Sequence, residues 1–166
     1  MAVRRVLSLD ELDRGTPAAP CGPVGETARR LASDLLDTMR AAPACVGLAA
    51  PQIGVAVRAF VLDVSAHRAT TRHHGELVVF DPCIIESTGQ RLAREGCMSV
   101  PDLTGDVARA TELVLRGSGL DGSPLEIEAE GFEARAIQHE VDHLDGLVFL
   151  DRLAGPGALH VRKVYR

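Results

Sequence analysis

The chain has 166 residues, 46% of them hydrophobic and 25% charged, with a formal net charge of −5. This composition predicts one folded domain over 1–166 with a sizeable core, and the acidic balance argues against DNA as a partner, which would need a basic face. No apolar run approaches the roughly 18 residues of a membrane span, and MAVRRVLSLDEL shows no apolar stretch after its arginines, so a cytoplasmic protein with no membrane partner is expected.

Residues 14–25 carry Pro17, Pro20 and Pro23 with Gly15, Gly22 and Gly25, and read as an irregular arm. Ala28, Leu31, Ala32, Leu35, Leu36 and Met39 then recur at three- and four-residue steps, which predicts an amphipathic helix over 26–41. Pro43 ends it. The stretch CVGLAAPQIG (45–54) reads as a loop, and the β-branched run over 55–64 as a strand. Residues 67–75 form a polar loop whose His67, His73 and His74 read as exposed. A second strand is expected over 76–87, with Pro82 at an edge or bulge. Further on, ELVLRGS and PLEIEAE flank GLDGSP, whose Asp121-Gly122 favours a tight turn, so 111–130 reads as a β-hairpin.

From Phe132 the hydrophobic period changes. Phe132, Ala136, His139 and His143 share a helical face, and Gly146 ends that helix. LVFLDRL (147–153) reads as a short extended piece, and 154–166 as a short tail. The composite is an α+β fold: mostly antiparallel strands packed around a late helix, with an N-terminal helix before them. Cys21, Cys45, Cys83 and Cys97 show no C-x-x-C spacing. Without an export signal they are expected to be reduced, leaving a thiol free for chemistry.

The late helix contains QHEVDHLDG (138–146), and within it H-E-x-x-H. Positions i and i+4 are neighbours on a helix, so His139 and His143 can present nitrogens to one ion, and Glu140 can face its water without ligating it. The third ligand decides the class. A metzincin protease would place a histidine where Phe149 stands, and no glutamate follows Glu140 to serve as in other zinc proteases. His160 lies downstream with no evident means of fixing it. A third ligand is therefore expected upstream, with Cys97 in REGCMSVPD (94–102) as the candidate. Two imidazoles and a thiolate leave a fourth position open, as in a catalytic site. Alone, Cys97 reads first as a buried packing cysteine. A second stretch, Val46 to Gln52 (VGLAAPQ), has small residues that permit close backbone approach. Its Gln52 amide could donate to a developing oxyanion.

GLAAPQ, EGCMS and QHEVDH occur in the order and rough spacing of the peptide deformylases, and the chain resembles that family from the first helix to about Leu153. The resemblance implies a metallo-amidase of protein biosynthesis and N-terminal processing. Its substrates would be N-formylmethionyl peptides, from which it releases formate. It implies one divalent ion on Cys97, His139 and His143, with Fe(II) expected and Zn(II), Ni(II) or Co(II) as alternatives. Glu140 would serve as base and then acid, with Gln52 and the Met98 backbone N–H stabilising negative charge. Val46, Gly47, Phe132 and Ala136 would bind substrate, Gly47 by pairing with its backbone. Asp142 is a candidate for orienting a ligand or bracing the helix, and Glu95 for pairing with Arg109.

Three positions depart from the family pattern. Cys45 stands where many members have glycine and is expected to pack, not to ligate. Met98 replaces a more usual leucine. The tail carries Gly155, Pro156 and Gly157 where some members have a longer helix used at the ribosome. HVRKVYR is basic, with Arg162, Lys163 and Arg166, and reads as a solvated tail, with transient ribosome association as a further expectation.

Overall fold

The computed structural model describes residues 2–163. Its first helix, α1 (Glu26–Ala41), buries Ala28, Ala32, Leu35, Thr38 and Met39, the stripe that the three- and four-residue spacing predicts. Glu26 in the first turn and Arg40 in the last complement the helix dipole. The chain then forms β1 (Gly47–Ala49), a single 3₁₀ turn (Ala50–Ile53), β2 (Ala59–Leu62) and β3 (Leu77–Thr88). Next come β4 (Arg91–Cys97), β5 (Val100–Arg109), β6 (Glu112–Ser118) and β7 (Pro124–Glu130). The second helix, α2 (Gly131–Leu144), leads to a 3₁₀ turn (Phe149–Arg152) and β8 (Leu159–Val161).

The strands make two antiparallel sheets, one ordered β1-β2-β3-β6-β7 and the other β4-β5-β8. Alternation along β2 and β3 explains why the larger sheet is apolar on both faces. Phe60, Leu62, Leu77 and Val79 face a core shared with Ala134, Ala136, Ile137 and Leu144 of α2. Ala59, Val61, Val78 and Phe80 face the opposite core, shared with Leu35 and Met39 of α1. The sheet is therefore a middle layer between the two helices. A smaller cluster of Cys97, Val100, Val107 and Phe149 fills the space under the second sheet.

Pro82 sits at a bulge, as expected: the β3–β6 register shifts between Phe80 and Cys83, and Asp81 adopts φ 48°. The bulge aims the Asp81 carboxylate at the arm, where it accepts from the backbone N–H groups of Cys21 and Gly22 at 2.7 and 3.0 Å. The arm then crosses the end of α2. Gly15 N–H donates to Gly146 O and Ala18 N–H to Leu144 O, both at 2.8 Å, so two carbonyls at the helix end are satisfied. Gly146 is required twice over: its φ is +77°, and a Cβ there would lie 2.7 Å from Thr16 N.

Several sequence expectations are corrected. The 45–54 stretch is not a loop, because Gly47–Ala49 pairs with β2. The strand expected over 55–64 is confined to Ala59–Leu62, since Ala56 and Arg58 bond to Ala19 of the arm instead. Residues 147–153 are not extended: the Asp151 carboxylate accepts from Val148 N–H at 2.9 Å and curls the chain into a 3₁₀ turn. The tail is tied down, not solvated throughout, because Leu159–Val161 pairs with β5. His160 is fixed as well, by Asp106 at 2.8 Å. Arg166 lies outside the described residues.

Candidate active site

The 3.6-residue period of α2 turns His139, Glu140 and His143 toward the strands. His143 and Glu140 are buried, and His139 is nearly so. β4 ends at Cys97 and reverses through Met98-Ser99 into β5, with Cys97 paired to Val100. That turn delivers the sulfur to the helix: Cys97 Sγ lies 3.4 Å from His143 Nε2. One ligand atom from each of Cys97, His139 and His143 falls within 4.8 Å of the others. The sequence named these three together, and the fold assembles them.

Glu95, two residues before the cysteine, orients the first histidine. Its Oε2 lies 3.0 Å from His139 Nδ1, which leaves Nε2 free to face the cluster. Glu95 is itself held by Arg109 through two hydrogen bonds of 2.9 and 3.1 Å, and by Arg135 at 2.7 Å. Burial alone would raise the Glu95 carboxyl, but His139 and Arg109 outweigh it and bring its pKa down to about 2. Asp142 continues the chain of charges, accepting from Arg109 at 2.6 Å and from Arg152 at 3.1 Å. It braces the helix, as one of its two expected uses required. Arg135 had no sequence signal, because its partners Glu95, Val107 and Arg91 lie 28 to 44 residues away.

Glu140 differs from every other acidic group here. Burial raises its pKa to about 7, against the opposing pull of His139. Its Oε2 is buried with no hydrogen-bond partner, a costly arrangement unless something else occupies the space in front of it. Gly47 explains how the carboxylate fits: a Cβ at that glycine would lie 2.6 Å from Glu140 Oε1. Beside it, Gln52 is locked in one orientation. Ala49 N–H donates to Gln52 Oε1 at 2.9 Å, which turns the amide nitrogen toward Ser99 Oγ at 3.2 Å and Cys97 Sγ at 3.5 Å.

A cleft of about 360 Å³ opens over these groups, lined by Val46, Gly47, Gln52, Met98, Phe132 and Ala136 among others. Each residue expected to bind substrate lies in it. His67 lies there too, contrary to its reading as an exposed loop residue: its ring stacks on Phe132 with centroids 3.8 Å apart and 7° between planes. The loop is pinned by His74, whose backbone N–H and ring each meet the buried Glu133 carboxylate at 2.8 Å. Glu133 stands on α2 beside Phe132, a charged residue among apolar neighbours that could have flagged this contact. Cys45 also reaches the cleft, but packs as expected and sends its thiol to Gly47 O at 3.2 Å. Burial, with the Glu140 charge, pushes that thiol up to about 12. All four cysteines are free thiols.

The donor set suits a metal ion. A sulfur and two imidazole nitrogens converge with an open side toward the cleft, and the unpartnered Glu140 Oε2 is buried beside them. The three donors and the buried carboxylate lie side by side at the floor of the cleft.

Comparison with known proteins agrees. Residues 13–158 match the model of the polypeptide deformylases. Peptide deformylase of Pelotomaculum thermopropionicum is 37% identical over 164 residues, 99% of this chain and 97% of that one. A peptide deformylase structure from Legionella pneumophila superposes with a TM-score of 0.83 at 37% identity, covering 93% of this chain and 88% of that one. A Met-Ala-Ser-bound structure from Acinetobacter baumannii gives 0.81 at 30% identity, over 92% of this chain and all of that one. The chain belongs to the polypeptide deformylase family, metal-dependent hydrolases that remove the N-formyl group from nascent polypeptides. As a member it is an enzyme of that reaction class.

Proposed function

We propose that the whole chain acts as one cytoplasmic catalytic domain, hydrolysing the formamide of N-formylmethionyl peptides with Cys97, His139 and His143 holding a single divalent ion, Fe(II) foremost. The observation that carries this reading is the buried, unpartnered Glu140 carboxylate beside a convergent Cys/His/His donor set. A bound ion there supplies Lewis acidity toward water and the formyl oxygen.

The chain's own residues do the rest. Glu140 accepts the proton of the attacking water as oxygen joins the formyl carbon. It returns that proton to the amine nitrogen as the C–N bond breaks, leaving formate and a free N-terminus. A group with a pKa near 7 can make both transfers near neutral pH, and burial places Glu140 there. Negative charge gathers meanwhile on the formyl oxygen. The Gln52 amide, held by Ala49, and the Met98 backbone N–H are the donors that meet it. Gly47 at the start of β1 offers its backbone to an extended peptide. The methionine side chain enters the apolar part of the cleft, between Val46, Ala136 and the stacked pair Phe132 and His67. The Met-Ala-Ser found in the Acinetobacter baumannii relative is what formyl-Met-Ala-Ser would leave after such a reaction.

Metal analysis and formate release, measured together, test the proposal. Protein loaded anaerobically with Fe(II) is expected to hold about one ion per chain and to release formate from formyl-Met-Ala-Ser. Chelation should abolish the activity, and Cys97→Ser should weaken the metal affinity. Full activity in the chelated protein, or unchanged metal affinity in Cys97→Ser, would contradict the ligand assignment.

A further inference from the structure

We propose that the cleft continues into a cationic subsite, centred on Arg162, for an acidic side chain a few residues downstream of the substrate's methionine; the inference rests on the deformylase reading. Arg162 follows β8, and its backbone N–H donates to Asp102 O at 2.8 Å, so the strand pairing carries its side chain back over β4. There the guanidinium lies across Gly96: a Cβ at Gly96 would stand 2.5 Å from Arg162 Nη2. Gly96 immediately precedes the ligand Cys97. Arg162 thus forms part of the rim of the cleft that holds Glu140, together with Arg94 and Thr104.

Asp106 is shared between Arg94 at 2.6 Å and His160 at 2.8 Å. The Arg162 guanidinium makes no ion pair with any described residue. Beyond the rim a second depression begins, lined again by Arg94, Thr104 and Arg162, and then by His160 and Lys163. The two hollows share Arg94, Thr104 and Arg162. An extended peptide advances about 3.3 Å per residue, so a chain whose first residue fills the side-chain pocket would bring later residues to this edge. In a molecule of net charge −5, an arginine with no ion pair among the described residues attracts a carboxylate at that point and repels a lysine.

The test uses the metal-loaded enzyme and formyl-Met-Ala-X-NH2 and formyl-Met-Ala-Ala-X-NH2, with X as Glu, Gln or Lys. The terminal amide removes the end carboxylate, so differences report the side chain. In at least one series, kcat/KM for Glu is expected to exceed that for Gln by roughly two- to fivefold at low salt, the size of a solvent-accessible ion pair. Lys should fall below Gln, and the spread should shrink in about 0.5 M salt. Arg162→Glu should invert the order, and Arg162→Lys should keep it; because each ratio is taken within one variant, a general loss of activity cancels. A Glu-to-Gln ratio near one in both series, or one unchanged by Arg162→Glu, would overturn the subsite while leaving the deformylase reading intact. No formate from any Gln peptide would remove both.

Discussion

Glu140 and Gly47 form a unit, one residue supplying the proton acceptor of the proposed mechanism and the other the room for it. Replacing the acceptor by an isosteric amide, Glu140→Gln, should leave the Cys/His/His donors and their metal in place while lowering kcat by about 10²- to 10⁴-fold, the usual worth of a positioned base. Metal content and steady-state kinetics check this, and near-parent turnover would show that another group moves the proton. Gly47→Ala is the complementary case. The new Cβ would sit 2.6 Å from Glu140 Oε1 and 3.0 Å from Leu62 Cδ1, so the carboxylate must move. Misplacing a reacting group by a fraction of an ångström to 1 Å costs about tenfold or more, and kcat/KM should fall accordingly while the protein stays folded. Both residues were legible in the sequence because each stands in a short motif whose chemistry needs that residue type. His67 was not legible, since its role arises from a stacking partner 65 positions away. Arg162 was read as part of a solvated tail for the same reason: only the pairing of β8 with β5 brings it over Gly96.

At the scale of elements, β4 and α2 are joined by buried charge as well as by the Cys97, His139 and His143 cluster. Glu95 on β4 meets His139 and Arg135 of α2 and Arg109 of β5. In the folded chain its pKa is about 2, below the ordinary glutamate value of 4.5. A depressed folded value means that this contribution to stability is complete above about pH 4.5 and is lost as the pH falls toward 2. The linked stabilisation is on the order of 3 kcal/mol. Urea unfolding of the metal-free protein between pH 7 and 2 should therefore show a steeper acid decline for the parent than for Glu95→Gln. The variant should also be less stable at pH 7, because it leaves the cations beside it short of a partner. Identical pH profiles would exclude Glu95 as the source. The Glu95–Arg109 pairing was expected from the family resemblance; β4 and β5 themselves were not readable. Their outward-facing sequence, with Arg91, Arg94, Asp102 and Asp106, has too little apolar alternation to announce strands, and the tight turn at Met98-Ser99 carries no glycine or proline at its centre.

Across the whole molecule, the middle sheet presents one face to α1 and the other to α2, and the cleft opens where β1, β4 and α2 converge. The α+β class, both helices and the hairpin over 111–130 were readable because periodicity and turn residues are local signals. The second sheet and the tethered arm depend on pairings far apart in sequence, such as Leu103 with Val161 and Asp81 with Cys21, which composition does not report. The proposed function requires the molecule to distinguish a formyl group from a larger acyl group. The measurement that bears on this most directly is product release by the Fe(II)-loaded enzyme from formyl-Met-Ala-Ser and acetyl-Met-Ala-Ser under identical conditions. Formate from the first peptide with no detectable acetate from the second is the predicted result. Activity on neither at full metal occupancy, or equal rates on both, would contradict it.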